Sequence, residues 1–169
     1  MHYNLPRTKR LVSAEEYATL AAENPNLVGT KNCGDSLAFL AKLITLTPDL
    51  QHFFSETGYF WGNLHGECGL LASYVTNWRQ VQLVFEAGRR QDVAAMAELQ
   101  RDVEVWGELI GAVAGQAHID GAFDKLFAHL KDPEFPLRLL PPYDCVDETL
   151  YVQFVAALRE RLPAWMPGG

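Results

Sequence analysis

A lysine that ends a short apolar strand beside the start of a helix is well placed to serve as an amine nucleophile. The stretch Leu27-Val28-Gly29-Thr30-Lys31-Asn32-Cys33-Gly34-Asp35 has that form. Leu27 to Thr30 are apolar or suited to a strand, and turn residues bound them: Pro25-Asn26 before, Gly34-Asp35 after. Lys31 stands where the strand ends. Asp35 or Ser36 can cap a helix whose apolar residues are Leu37, Leu40, Leu43 and Ile44. The plain alternative is a solvated lysine with a packed stem and its ammonium in water. What separates the two is the order of elements around Lys31.

Other chemistries find little support. The histidines His2, His52, His65, His118 and His129 form no His-Glu-x-x-His. His65-Gly66-Glu67 matches half of a zinc deaminase signature, but the Pro-Cys-x-x-Cys half is missing, so His65 reads as a turn residue. No metal and no cofactor is expected. No phosphate-cradling glycine loop and no Gly-x-Ser-x-Gly elbow occurs. The net charge of −7 argues against a nucleic-acid footprint, which needs a basic face. No apolar run approaches the roughly 20 residues of a membrane span, and the first residues lack a signal-peptide core. The three scattered cysteines, Cys33, Cys68 and Cys145, suit a reducing, cytoplasmic setting.

The elements that must position Lys31 alternate. Ser13-Ala14-Glu15-Glu16 is a capping box, opening a helix to about Glu23 with Tyr17, Leu20 and Ala21 on its inner face. The Lys31 strand and a helix to about Thr47 follow. Gln51 to Ser55 reads as a second strand, Tyr59 to Leu64 as a short helix, and Leu70 to Ser73 as a third strand. A helix from Thr76 or Asn77 to Gly88 carries Val81, Val84 and Phe85. Strand and helix in alternation with short loops imply a parallel sheet buried on both faces. Residues 1–10 read as irregular, with Tyr3-Asn4-Leu5-Pro6 resembling the end of a strand.

After Gly88 the pattern is all-helical. Met96, Leu99, Val103, Trp106, Ile110 and Val113 form a narrow seam on one long helix. The seam can pack on its own chain or serve a partner. Helices over about Asp120–Leu130 and Asp147–Leu162 flank a proline-rich loop. The expected division is therefore residues 1–88, a run of βα units, and residues 89–169, a helical extension packed on it.

In a parallel barrel the carboxyl ends of successive strands are neighbours at the mouth where chemistry is placed. Tyr3 would then lie one strand from Lys31. An amine in such a mouth is desolvated, which leaves some of it neutral to attack a carbonyl. A phenol can pass protons, though it needs a relay partner near neutral pH.

With these pieces in place the chain resembles the dihydrodipicolinate synthase and N-acetylneuraminate lyase superfamily of Schiff-base aldolases. The matching pieces are Tyr3-Asn4-Leu5-Pro6, Asn26-Leu27-Val28-Gly29-Thr30-Lys31 with Gly34-Asp35, Gly66-Glu67-Cys68-Gly69 running into Leu70-Leu71-Ala72-Ser73, and Leu139-Leu140-Pro141-Pro142. They span nearly the whole chain in family order. The resemblance implies an α/β fold: about the last four βα units of a (β/α)8 barrel, then a C-terminal helical extension. It implies Lys31 as the Schiff-base lysine, Tyr3 as the proton shuttle and a pyruvate-type 2-oxo acid as partner. Arg7 falls near a position that holds a substrate carboxylate in some members, on a loop that is shorter here. Ser55-Glu56-Thr57-Gly58 departs from the family pattern, and so does Asn32, where an acidic residue is usual.

A complete barrel takes about 250 residues, against 169 here. The expectation is therefore that the first half of the barrel is absent. With it would go the paired hydroxyl residues that bind the 2-oxo acid carboxylate and complete the tyrosine relay. Activity would then require a complementing N-terminal half or a homo-oligomer. The competing expectation is a truncated, non-catalytic member that self-associates or acts as an interaction module through the Met96–Val113 seam.

Overall fold

A computed structural model describes residues 1–33, 36–114 and 120–168. The turn expected at Gly34-Asp35, the capping role offered to Asp35, and His118 lie outside them. In chain order the elements are β1 (His2–Asn4), α1 (Ala14–Glu23), β2 (Gly29–Asn32), α2 (Leu37–Leu46), β3 (Gln51–Phe54), α3 (Glu56–Asn63), β4 (Gly69–Leu70), α4 (Trp78–Arg89), α5 (Val93–Ala114), α6 (Asp120–Lys131) and α7 (Glu148–Arg161). A 3-10 turn, Pro163–Trp165, follows. The fold class is α/β, as the alternation predicts.

The four strands form one parallel sheet in the order β1-β2-β3-β4. Residues 2–4, read as irregular from sequence, are its first strand. Three residues are too few to show a period of two, and only pairing with β2 defines them. The fourth strand is Gly69–Leu70 rather than Leu70–Ser73. It pairs with Phe53 and Phe54, where β3 ends, so the apolar residues beyond Leu70 have little left to pair with. Leu71 N–H still reaches Phe54 O at 2.8 Å.

Helix boundaries follow their caps. Ser13 and Glu16 form the expected capping box. Ser36 caps α2 through Phe39 N–H, 3.3 Å, and Asp147 caps α7 through Leu150 N–H, 2.8 Å. Helix α3 begins at Glu56, three residues before the expected Tyr59. Gly58 argues against a helix locally, but here it serves packing, since a Cβ would stand 2.9 Å from Phe54 Cβ. Two residues expected on inner faces, Leu20 and Phe85, are instead partly exposed, while Tyr17, Leu40, Leu43 and Val84 are buried.

The chain forms two compact units, Met1–Ser73 with Leu83–Gln100, and Tyr74–Gln82 with Arg101–Gly169. The first holds the sheet with α1, α2 and α3. Its Tyr59 is fully buried, donates to Phe85 O at 2.7 Å and stacks on the Phe85 ring. The second unit is built on an aromatic cluster. Trp106 is fully buried and touches Tyr74, Phe127, Phe154 and Trp165. Trp165 Nε1–H donates to Asp102 at 2.9 Å. The Thr76 hydroxyl donates to Trp165 O at 2.7 Å. Met96, Val103, Trp106, Leu109 and Val113 are buried. In the expected seam, Leu99 and Ile110 are only half-buried.

Candidate active site

The sheet has two unlike faces. Alternation sends Thr30, Asn32, His52 and Phe54 to the face covered by helices, where all four are buried. Lys31 and Phe53 point the other way. The register sets Tyr3, Lys31, Phe53 and Gly69 opposite one another across all four strands. Tyr3, Lys31 and Phe53 are half-buried.

The structure brings Lys31 and Tyr3 together. Lys31 Nζ lies 4.0 Å from the centroid of the Tyr3 ring, a contact worth roughly 0.5–1 kcal/mol at an exposed site. The Tyr3 hydroxyl is 3.4 Å from Cys33 Sγ. A thiol therefore adjoins the phenol hydroxyl. Lys31 is one residue short of the strand end, since β2 runs to Asn32.

Arg7 lies exposed on the loop between β1 and α1, at the carboxyl end of β1. Asn4 closes this loop from both sides: its amide donates to Val12 O at 3.0 Å, and it accepts from Val12 N–H at 2.9 Å. Thr8 tightens the turn by donating to Leu5 O at 2.8 Å. Arg10 is engaged by Glu16.

Beneath Lys31 runs a buried polar chain that sequence reasoning missed. Strands buried on both sides were expected to be apolar. Here the Thr30 hydroxyl is 2.8 Å from His52 Nδ1, and Asn32 Nδ2 donates to Thr30 Oγ1 at 2.8 Å. His52 Nε2 faces Thr47 O at 3.1 Å. A carbonyl only accepts, so Nε2 carries the proton and Nδ1 accepts from Thr30. The Asn32 amide is thereby oriented, and its Oδ1 is buried without a partner among the described residues. The residues on either side of Lys31 are pinned, and the lysine is held to its face.

Burial lowers the pKa of His52 below 6.5. The unfolded chain then takes up a proton that the folded chain refuses, so stability falls as the pH drops below 6.5 toward the folded pKa. The expected slope is up to about 1.4 kcal/mol per pH unit. Urea unfolding between about pH 5 and 8 should show it. His52→Gln should lose this component of the slope.

A second missed group is Glu56. Its carboxylate is buried in the first turn of α3 and accepts from Ser73 N–H at 2.5 Å. It ties the carboxyl end of β3 to the segment after β4. Ser55 followed by Glu56 is a helix-start signal that could have revealed it.

A cavity of about 400 Å³ opens among Ala18, Ala22, Leu27, Val28, Leu46 and Leu50. Its wall comes from residues that precede β2 and β3, at the amino ends of the strands. Parallel α/β folds place ligands at the carboxyl ends, so this cavity is not assigned to the Lys31 site. Among the described residues, no three His, Cys, Asp or Glu side chains are grouped to hold a metal. No helix among them is long and apolar enough to cross a membrane.

No protein-family model matches the sequence. A comparison with curated proteins finds no match. Solved structures do match. The prophage protein YagE from E. coli K12, of the dihydrodipicolinic acid synthase family and in complex with pyruvate, superposes with a TM-score of 0.77 at 22% identity, over 94% of this chain and 54% of its own. Dihydrodipicolinate synthase from Aquifex aeolicus gives 0.73 at 14% identity, over 99% and 56%. N-acetylneuraminate lyase from Fusobacterium nucleatum gives 0.69 at 15%, over 94% and 53%. This chain therefore spans about half the length of the proteins it resembles. Its fold is that of about half a subunit of the dihydrodipicolinate synthase and N-acetylneuraminate lyase type: a partial (β/α)8 barrel with helices following it.

Proposed function

We propose that this chain carries the imine-forming half of a lyase or aldolase site, with Lys31 as nucleophile, Tyr3 as proton shuttle and a pyruvate-type 2-oxo acid as carbonyl partner. The observation that carries the reading is the pairing of Lys31 with Tyr3 in register, with the amine on the phenol ring. In its neutral form the amine adds to the C2 carbonyl carbon. The carbonyl oxygen takes up protons and leaves as water, and a protonated imine remains. In a 2-oxo acid extended at C3, that imine accepts the electron pair of the breaking C3–C4 bond as an enamine, while the C4 hydroxyl gives up its proton and C4 leaves as an aldehyde. The enamine is then protonated at C3, and water releases the pyruvate-type acid from the lysine. Tyr3 is placed to move protons at the nitrogen and the departing oxygen.

Arg7 is assigned to a substrate carboxylate, which suits its place on the loop after β1. The hydroxyl pair that binds the 2-oxo acid carboxylate in the resembling family is assigned to the remainder of the barrel, supplied by a complementing half or a second chain. A homo-oligomer and a cytoplasmic setting belong to the same reading. The free thiols of Cys33, Cys68 and Cys145 suit a reducing compartment.

Borohydride reduction in the presence of pyruvate tests the reading. A carboxyethyl adduct mapped to Lys31 supports it. Folded protein without adduct overturns it for this chain acting alone. Thiol alkylation adds a check on geometry. Cys33 is partly exposed and Cys145 exposed, while burial pushes the Cys68 thiol up to about 12 and out of reaction. Iodoacetamide should lower Lys31 trapping by about tenfold or more, because a group placed against the Tyr3 hydroxyl displaces the pair. Cys33→Ser should protect against that loss. Equal loss in Cys33→Ser would assign the effect to Cys145.

A further inference from the structure

The cavity at the amino ends of the strands has no part in the chemistry of Lys31. Its volume, about 400 Å³, is that of a small-molecule site. All of its wall comes from the first unit. The last turns of α1 and α2 both reach it, Ala21 and Ala22 from one helix and Leu46 from the other. Carbonyl groups point toward the C-terminus of a helix, and those of the last turn have no partner within it. The chain after each helix folds back on the cap residue. Leu27 N–H donates to Asn24 O at 2.9 Å, and Leu50 N–H to Thr47 O at 3.1 Å. Each helix end carries the equivalent of about half a negative charge. Lysine or arginine often answers that charge, but neither helix has a basic residue in its last turn.

The side chains agree with the backbone in sign. Asp49 is the charged residue of the wall. It is exposed and takes part in no ion pair among the described residues. Thr47 is the other polar side chain there. Its hydroxyl donates to Leu43 O at 2.6 Å, so it has no proton to offer an anion. The rest of the wall is alanine, proline, leucine and valine. Val28 and Leu46 are 63% and 42% exposed, and a ligand covering them takes apolar surface out of water.

We infer that this cavity is a binding site for a small organic ammonium ion with an apolar body. The body covers Val28 and Leu46, and the ammonium meets Asp49 and the two helix ends. A cation gains roughly 1.5–5-fold at each helix end and up to about fivefold at an exposed carboxylate. A preference of about fivefold or more over a neutral analogue follows. The inference does not depend on the imine reading, because no residue of the Lys31 row lines the cavity.

The test uses three ligands with one apolar body: phenylbutylammonium, phenylbutanol and phenylbutyrate. Each is titrated into the isotope-labelled full chain, and backbone amide shifts are followed by NMR. The ammonium should shift the amides of Ala22, Leu46 and Asp49 and bind about fivefold or more tightly than the alcohol. The carboxylate should bind most weakly. Salt at about 1 M should shrink the advantage of the ammonium over the alcohol. Asp49→Asn should weaken the ammonium about two- to fivefold and leave the alcohol unchanged. Ala22→Leu, at an exposed helical position, should weaken both by filling the cavity. Equal binding of ammonium and alcohol overturns the assignment of charge. No saturable shift at the cavity residues, or binding unchanged in Ala22→Leu, overturns the site.

Discussion

Lys31→Ala protein, incubated with pyruvate and reduced with borohydride, gains no carboxyethyl group at position 31, while wild type gains one there. The effect is all-or-none because the lost group forms the covalent bond itself. The other lysines make informative internal controls. Lys42 is engaged by Glu15, and Lys125 lies over the Phe135 ring, 4.6 Å from its centroid. Lys125 thus shares the ring contact of Lys31, on a ring that carries no hydroxyl. Adduct on Lys125 equal to that on Lys31 would show that contact with a ring face alone explains the reactivity. Selective adduct on Lys31 points instead to its setting beside Tyr3 and Cys33. Intact mass gives the stoichiometry and peptide mapping the position.

Trp106→Ala lowers the unfolding free energy of its unit by about 3–5 kcal/mol, as large aromatic deletions in a core do. Trp106 contacts four aromatic rings, from Tyr74, Phe127, Phe154 and Trp165. These come from well-separated parts of the unit, so the cavity cannot close by moving one of them. Its indole N–H is buried without a partner among the described residues. Trp106→Phe removes that orphaned donor along with part of the volume. Its cost should therefore fall well below that of Trp106→Ala. Urea unfolding followed by far-UV circular dichroism measures both. Equal losses for the two variants would show that a retained phenyl ring does not fill the site among these four rings.

The pairing of Tyr3 with Lys31 was legible because it depends only on the βα rhythm, which puts successive strand ends side by side. Direction within the strands was less legible. Three or four residues carry too little pattern to show which face each occupies. His52 was weighed only as a metal ligand, and nothing in its neighbours announces Thr30 and Thr47 as its partners. Phe53 and Phe54 look alike in sequence, yet one faces the helices and the other shares the row of Lys31. Cys33 appeared as one of three scattered thiols, because its meeting with Tyr3 spans 30 positions. The start of α3 was missed because Gly58 weighs against a helix until Phe54 is seen filling the space beside it.

The polar chain under β2 bears on how such a lysine could be moved to another scaffold. A one-residue slip of β2 would bring Lys31 under the helices and turn Thr30 and Asn32 outward. An apolar strand of four residues would resist that slip only through burial. Here a slip also strands the imidazole of His52, whose two nitrogens are already committed. The bonds act as a key that fits one alignment. Grafting Lys31 into a different barrel with its immediate sequence neighbours would leave the lock behind. The histidine from the next strand, and the Thr47 carbonyl that fixes its tautomer, would have to travel with it.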